Sequence, residues 1–240
     1  MELADNLRST RERIAAACGR VDRDPASVQL VAVSKTHSAD TVRAAADLGL
    51  NVFGESKIQE AKLKISNCPR NLSWHLIGHL QSNKARDAVR LFQMIHSVDS
   101  FHLAEEVNTC AERQSKSMPI LIQVNVSGEA SKFGYSPDAL LEDFNRLNEL
   151  DRLEIHGFMT MAPWSSEPEK ARGHFRRLRE LRDECQQILG APLPELSMGM
   201  SGDFEPAIEE GATLVRVGTG IFGGRIRAKD QNLPDSGAGR

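Results

Sequence analysis

Eight short runs rich in Val, Ile and Leu recur along the chain, and helical patterns fill the stretches between them. The runs are 28–33 (VQLVAV), 51–53 (NVF), 73–77 (SWHLI), 94–98 (MIHSV), 119–126 (PILIQVNV), 152–159 (RLEIHGFM), 195–200 (ELSMGM) and 213–217 (TLVRV). Several are almost continuously apolar, as parallel strands covered on both faces must be. Eight strand–helix units between residues 28 and 217 predict an α/β fold, a (β/α)8 barrel of the TIM type. An open, doubly wound sheet is the rival architecture. The reading places residues 1–240 in one domain, with the barrel over about 28–225 and a polar, flexible tail over 226–240.

The intervening segments carry start and stop signals. Ser38 is positioned to cap the first helix of the repeat, which Gly49 stops. Ser136-Pro137 reads as an N-cap followed by proline at the first helical position. Leu140, Leu141, Phe144 and Leu147 then share one face. In 167–189, Phe175, Leu178, Leu181, Cys185 and Ile188 form a second apolar stripe. An extra N-terminal helix precedes the barrel, with Leu3, Leu7, Ile14 and Cys18 on one side. Aromatics are only 5% of the residues, so aliphatic side chains must fill most of the core.

Charge narrows the function classes. The formal net charge is −3, where a general nucleic-acid binder would be basic. Arg176, Arg177, Arg179 and Arg182 alternate with Glu180, Asp183 and Glu184, which reads as a solvated helix face. No apolar run of about 18 residues exists to span a membrane. The N-terminus lacks the apolar stretch of a signal peptide, so a cytoplasmic protein is expected. Cys18, Cys68, Cys110 and Cys185 are too far apart for a metal knuckle or redox pair, and are expected as reduced, mostly buried thiols.

A barrel carries its chemistry after the C-terminal ends of its strands, with phosphate held after strands seven and eight. Lys35 directly follows the first run. A buried setting favours its neutral amine, the form that attacks a carbonyl; a salt-bridged or snorkelling rim lysine is the ordinary alternative. After the seventh run, Gly199 and Gly202 permit close backbone approach, Ser201 offers a hydroxyl, and Asp203 can cap the next helix. After the eighth run come Gly218, Thr219 and Gly220. The two loops form a phosphate cup or are two ordinary tight turns. Arg216, between Val215 and Val217, is a fixed cation beside that cup if it points into the barrel, and a surface arginine if it points out. Residues 218–223 match G-x-G-x-x-G, but only 17 residues follow, too few for a dinucleotide-binding βαβ unit. His75 and His79 span a strand end and a loop, which is poor metal-ligand geometry.

The segments 30–37 (LVAVSKTH), 53–64 (FGESKIQEAKLK), 74–86 (WHLIGHLQSNKAR), 96–100 (HSVDS), 121–135 (LIQVNVSGEASKFGY), 155–163 (IHGFMTMAP) and 196–225 together resemble the pyridoxal phosphate homeostasis protein family. The resemblance covers most of the chain, in family order. It implies a barrel like the N-terminal domain of alanine racemase, with pyridoxal 5′-phosphate as cofactor. It makes Lys35 the Schiff-base lysine, and Ser201, Gly202, Gly218 and Thr219 the phosphate binders. Arg216 then faces the pyridine nitrogen, and Met159 lines the same pocket. The family often has Asn where this chain has Ser56, after Gly54-Glu55, so a cofactor contact there is expected to be shorter or bridged by water.

The implied role is a reversible intracellular carrier or buffer of the cofactor. It would influence amino-acid and keto-acid pools, act as a monomer, meet apo-enzymes transiently and perform no catalytic turnover. A racemase or lyase using the same lysine is the main alternative, and a class I aldolase-like barrel a lesser one. An enzyme that uses the cofactor as an electron sink usually sets a carboxylate on the pyridine nitrogen. Arg216 would oppose protonation there.

Overall fold

The computed structural model describes residues 2–129 and 132–224. The expected tail over 226–240 lies outside the described residues. Eight strands, β1 (Gln29–Val33), β2 (Val52–Glu55), β3 (Ser73–Leu76), β4 (Met94–Val98), β5 (Met118–Gln123), β6 (Leu153–Met159), β7 (Glu195–Met200) and β8 (Leu214–Val217), pair in chain order. All eight pairings are parallel, and β8 returns to β1 to close the barrel, which excludes the open sheet. The second run extends through Gly54 and Glu55. The fifth stops at Gln123, where the chain leaves the ladder and only Val124 bridges to Tyr135.

Strand alternation sorts the side chains into two layers. Leu30, Ala32, Phe53, Trp74 and Ile95 join the large apolar cluster between barrel and helices. Val31, Val52, Leu121, Met159 and Leu214 form a separate small cluster within the barrel. Register places Val31 beside Arg216 and Leu214 beside Ser197, so apolar and polar side chains share the barrel interior.

Nine α-helices complete the described residues: α1 (Glu2–Gly19), α2 (Ala39–Asp47), α3 (Ile58–Ile65), α4 (Ala85–Leu91), α5 (Phe101–Arg113), α6 (Pro137–Asn148), α7 (Arg172–Leu189), α8 (Phe204–Glu209) and α9 (Thr219–Phe222). Ser38 caps α2 and Ser136 caps α6 through bonds to Thr41 and Ala139 N–H groups. Gly49 adopts φ 84°, the left-handed conformation its stop position requires.

Helix α1 buries Leu7, Ile14 and Cys18. It also ties the C-terminal loops: Asn6 Nδ2 donates to Ile221 O at 3.2 Å, Thr10 Oγ1 to Gly220 O at 3.3 Å, and Arg13 bonds Glu205 at 3.0 Å. The extra helix therefore braces the loop after β8. Cys18, Cys110 and Cys185 are buried and Cys68 partly so, all as free thiols.

Two expectations for α7 need correction. Phe175, Leu178, Leu181 and Cys185 are buried, but Ile188 is exposed. It lies in the last turn, where the chain departs at Gly190 in a left-handed C-cap. The arginine face is also not simply solvated. Arg172, Arg176 and Arg179 all reach the buried carboxylate of Glu210, and Arg182 Nη1 donates to Leu193 O. Glu210 is held below the usual carboxylate value by the Arg176 hydrogen bond and by the neighbouring guanidinium charges.

Candidate functional site

The C-terminal mouth of the barrel opens into a cavity of about 420 Å³. Seven of the eight site residues expected from sequence border it. Lys35 and Ser56 enter from the ends of β1 and β2, Arg216 from within β8, and Ser201, Gly202, Gly218 and Thr219 from the loops after β7 and β8.

Met159 is the exception. It is fully buried in the interior cluster with Val31, Val52, Leu121 and Leu214. Val31 lies one inward-facing position before Val33, which does line the cavity. Met159 thus supports the floor and does not line the pocket.

The two C-terminal loops are locked to one another. Ser201 Oγ accepts from the backbone N–H groups of Gly218 at 3.3 Å and Gly220 at 3.2 Å. A Cβ at Gly202 would meet no atom within 4 Å, so the backbone there borders open space. A Cβ at Gly199, where φ is +89°, would come within 2.7 Å of Ala207 Cβ and 2.8 Å of Phe204 Cα, so glycine lets α8 pack directly on the end of β7. Asp203 was expected to cap α8. Its Oδ1 instead accepts from Met200 N–H at 2.6 Å and closes the turn before the helix, with no side-chain cap bond.

Arg216 points inward and is buried. It donates to Ser197 Oγ at 2.6 Å and Thr160 O at 2.8 Å. Ser197 Oγ in turn lies 2.9 Å from His96 Nδ1, and His96 Nε2 lies 2.9 Å from His75 Nδ1. Arg216 can only donate, so Ser197 Oγ accepts from it, and the ring tautomers of His96 and His75 set the direction of the other two bonds. Burial, with the neighbouring His75 and Arg216, holds His96 well below the usual imidazole value, and burial takes His75 down to about 4. Both rings are neutral at pH 7. Burial also lowers Arg216, to about 10, which leaves it charged.

Sequence reading missed this chain because it weighed His75 only as a metal ligand. The available signal was alternation: His75 falls on the opposite side of β3 from Trp74 and Leu76, and His96 on the opposite side of β4 from Ile95, all three of them in the outer apolar cluster. His79 lies apart at the mouth, stacked on Phe133 at 3.8 Å between ring centroids and bonded to Asp99 at 3.1 Å. Among the described residues no group of three or more His, Cys, Asp or Glu could hold a metal ion.

Residues 4–226 match the family described as alanine racemase, N-terminal domain. The chain is 42% identical to the pyridoxal phosphate homeostasis protein of Aquifex aeolicus, over 94% of this chain and 99% of that one. The chain belongs to the pyridoxal phosphate homeostasis protein family. The family's Pseudomonas aeruginosa member is 41% identical, over 98% of this chain and 99% of that one. PipY of Synechococcus elongatus, solved with PLP bound, superposes with a TM-score of 0.81 at 40% identity, covering 92% of this chain and all of that one. Alanine racemase of Clostridium difficile 630 shares the fold at a TM-score of 0.69 and 16% identity; the match covers 93% of this chain but only 58% of the racemase. The homeostasis family and the racemase thus share a barrel, and much of the racemase chain has no counterpart here.

Proposed function

We propose that this protein binds pyridoxal 5′-phosphate reversibly at the barrel mouth and serves cofactor homeostasis without turning over a substrate. The observation that carries this is convergence. A lysine, a buried arginine and two glycine-rich loops, far apart in sequence, border one cavity.

The donor set suits the group. The loops after β7 and β8 bring the Ser201 and Thr219 hydroxyls to the cavity, with open space at Gly202, and the Gly218 and Gly220 N–H groups hold Ser201 Oγ in place. When bound, the cofactor supplies an aldehyde that condenses with primary amines. Lys35 is the amine that would hold that aldehyde, and Ser201 and Thr219 with the Gly202 and Gly218 backbone would hold the phosphate. Ser56 borders the same cavity. The relatives' name and the PLP-bound PipY support the assignment of the ligand.

Arg216 supplies the physical reason to expect no turnover. Pinned by Ser197 and Thr160 O, it would set a positive charge beside the ring nitrogen of a bound cofactor, and like charges disfavour protonation there. The single tyrosine, Tyr135, offers no base to the cavity. It is buried, it does not border the cavity, and its hydroxyl lies 3.5 Å from Asp143 on α6. No helix among the described residues is long and apolar enough to cross a membrane. A cytoplasmic monomer that meets apo-enzymes transiently, and so affects amino-acid and keto-acid pools, fits this reading.

The test is α-proton exchange of L-alanine in deuterated water, followed by NMR with a racemase alongside. No exchange above a Lys35→Ala blank is expected. Lys35-dependent exchange approaching the racemase rate would make the protein an enzyme.

A further inference from the structure

We propose that Glu60 and Lys64, on α3 outside the cavity, are positioning residues that hold the turn at Thr36 and thereby present Lys35 to the cofactor. The inference rests on the reading of Lys35 as the cofactor's amine.

Strand β1 ends at Val33, and Ser34, Lys35 and Thr36 make the turn out of it, closed by His37 N–H donating to Ser34 O at 3.0 Å. Thr36 adopts φ 70°. That is the left-handed region, an outlier for a β-branched residue, and it persists only where surroundings impose it.

The surroundings are a polar cluster from α3 and β2. Glu60 Oε1 accepts the Thr36 backbone N–H. The Lys64 ammonium donates to Ser34 O at 2.7 Å, Glu55 Oε1 at 2.5 Å and Glu60 Oε1 at 2.9 Å. Ser34 Oγ donates to Glu55 Oε1 at 2.7 Å. Both residues flanking Lys35 are therefore tied to the cluster, and Lys35 itself turns into the cavity.

The arrangement also separates two nearby lysines by role. An ammonium has three N–H donors, and those of Lys64 meet three acceptors. Its side chain is 4% exposed and Glu55 is fully buried. Lys64 is a fixed cation. Glu55 Oε2 is buried without a partner among the described residues, and burial pushes the Glu55 carboxyl up, so Lys64 is the group that keeps a charge tolerable there. A cluster serving stability alone would not require a threonine in the left-handed region beside the reactive lysine.

The experiment uses pyridoxal phosphate, with binding followed by absorbance and the site of attachment by borohydride reduction and peptide mass mapping. Glu60→Ala is expected to weaken binding at least tenfold, with a thermal midpoint near that of the wild type. Glu60→Gln, whose amide oxygen still accepts from Thr36, should restore binding. Thr36→Gly in the Glu60→Ala background should restore most of it, because glycine takes a positive φ freely.

Thr36→Pro fixes φ on the negative side and removes the N–H at an exposed position. It should weaken binding like Glu60→Ala, and it carries the test if Glu60→Ala does not fold. Wild-type binding by Glu60→Ala or Thr36→Pro would overturn the proposal. So would weakened binding in Glu60→Ala that is matched by Glu60→Gln and unrelieved by adding Thr36→Gly. Failure of the underlying reading is distinguishable, since the wild-type label would then map to a lysine other than Lys35.

Discussion

Replacing Ser201 and Thr219 together by alanine is expected to weaken pyridoxal phosphate by two orders of magnitude or more and to leave pyridoxal nearly unaffected. Each hydroxyl contact with a phosphate dianion is charge-assisted, and such bonds contribute about 1.5–3 kcal/mol. Two together amount to roughly 3–6 kcal/mol, or about 10²–10⁴ in affinity. The Ser201 change acts twice. Its Oγ also receives the Gly218 and Gly220 N–H groups, so its loss frees the loop after β8 from the loop after β7. Helix α1 still braces that loop through Asn6 and Thr10, so the fold should survive. Parallel absorbance titrations with the two ligands measure the difference. Equal weakening of both would place the phosphate elsewhere.

The second large effect concerns barrel closure. Gly157→Ala is expected to destabilise the protein by about 4 kcal/mol or more, or to prevent folding. Gly157 adopts φ +150°, and a Cβ there would lie 1.9 Å from Glu195 O and 2.8 Å from Glu195 C. Both are rigid backbone atoms of β7, the strand paired with Gly157. The register between β5 and β6 shifts just before this point, so the bulged strand brings its backbone hard against the next one. The clash can be relieved only by parting β6 from β7.

Gly173→Ala is the informative control. It lies within α7, where a Cβ meets nothing within 4 Å, and should stabilise by about 0.5–1 kcal/mol. Urea denaturation of the two variants measures both. An unchanged midpoint for Gly157→Ala would mean that the close approach of β6 to β7 is not required.

The fold was legible because its signals are local and repeated. Each β-rich run is short, the segments at 140–147 and 167–189 carry a helical apolar period, and Ser38, Ser136 and Gly49 mark ends by their own chemistry. The site was legible in outline because a barrel places strand ends at one mouth, so Lys35 and the loops at Ser201 and Thr219 had to meet. Depth was not legible. Alternation tells which side a strand residue faces, but the level it reaches depends on strand stagger, which separate runs do not encode. Met159 therefore faces inward as expected yet packs below the cavity.

Pairings distant in sequence were equally hidden. Nothing local links His75 and His96 to Ser197, 101 residues beyond His96. The capping role expected of Asp203 failed for a different reason: the same carboxylate can close the preceding turn, and here it bonds Met200 N–H.

On the proposed reading one lysine, Lys35, holds the cofactor at the barrel mouth. Borohydride reduction of the protein loaded with pyridoxal phosphate, followed by peptide mapping by mass spectrometry, measures this at the residue itself. A single cofactor label is expected on the peptide carrying Lys35, and none on Lys35→Ala protein treated the same way. A label on Lys57, Lys84 or another lysine, with Lys35 unmodified in the wild-type protein, would contradict it.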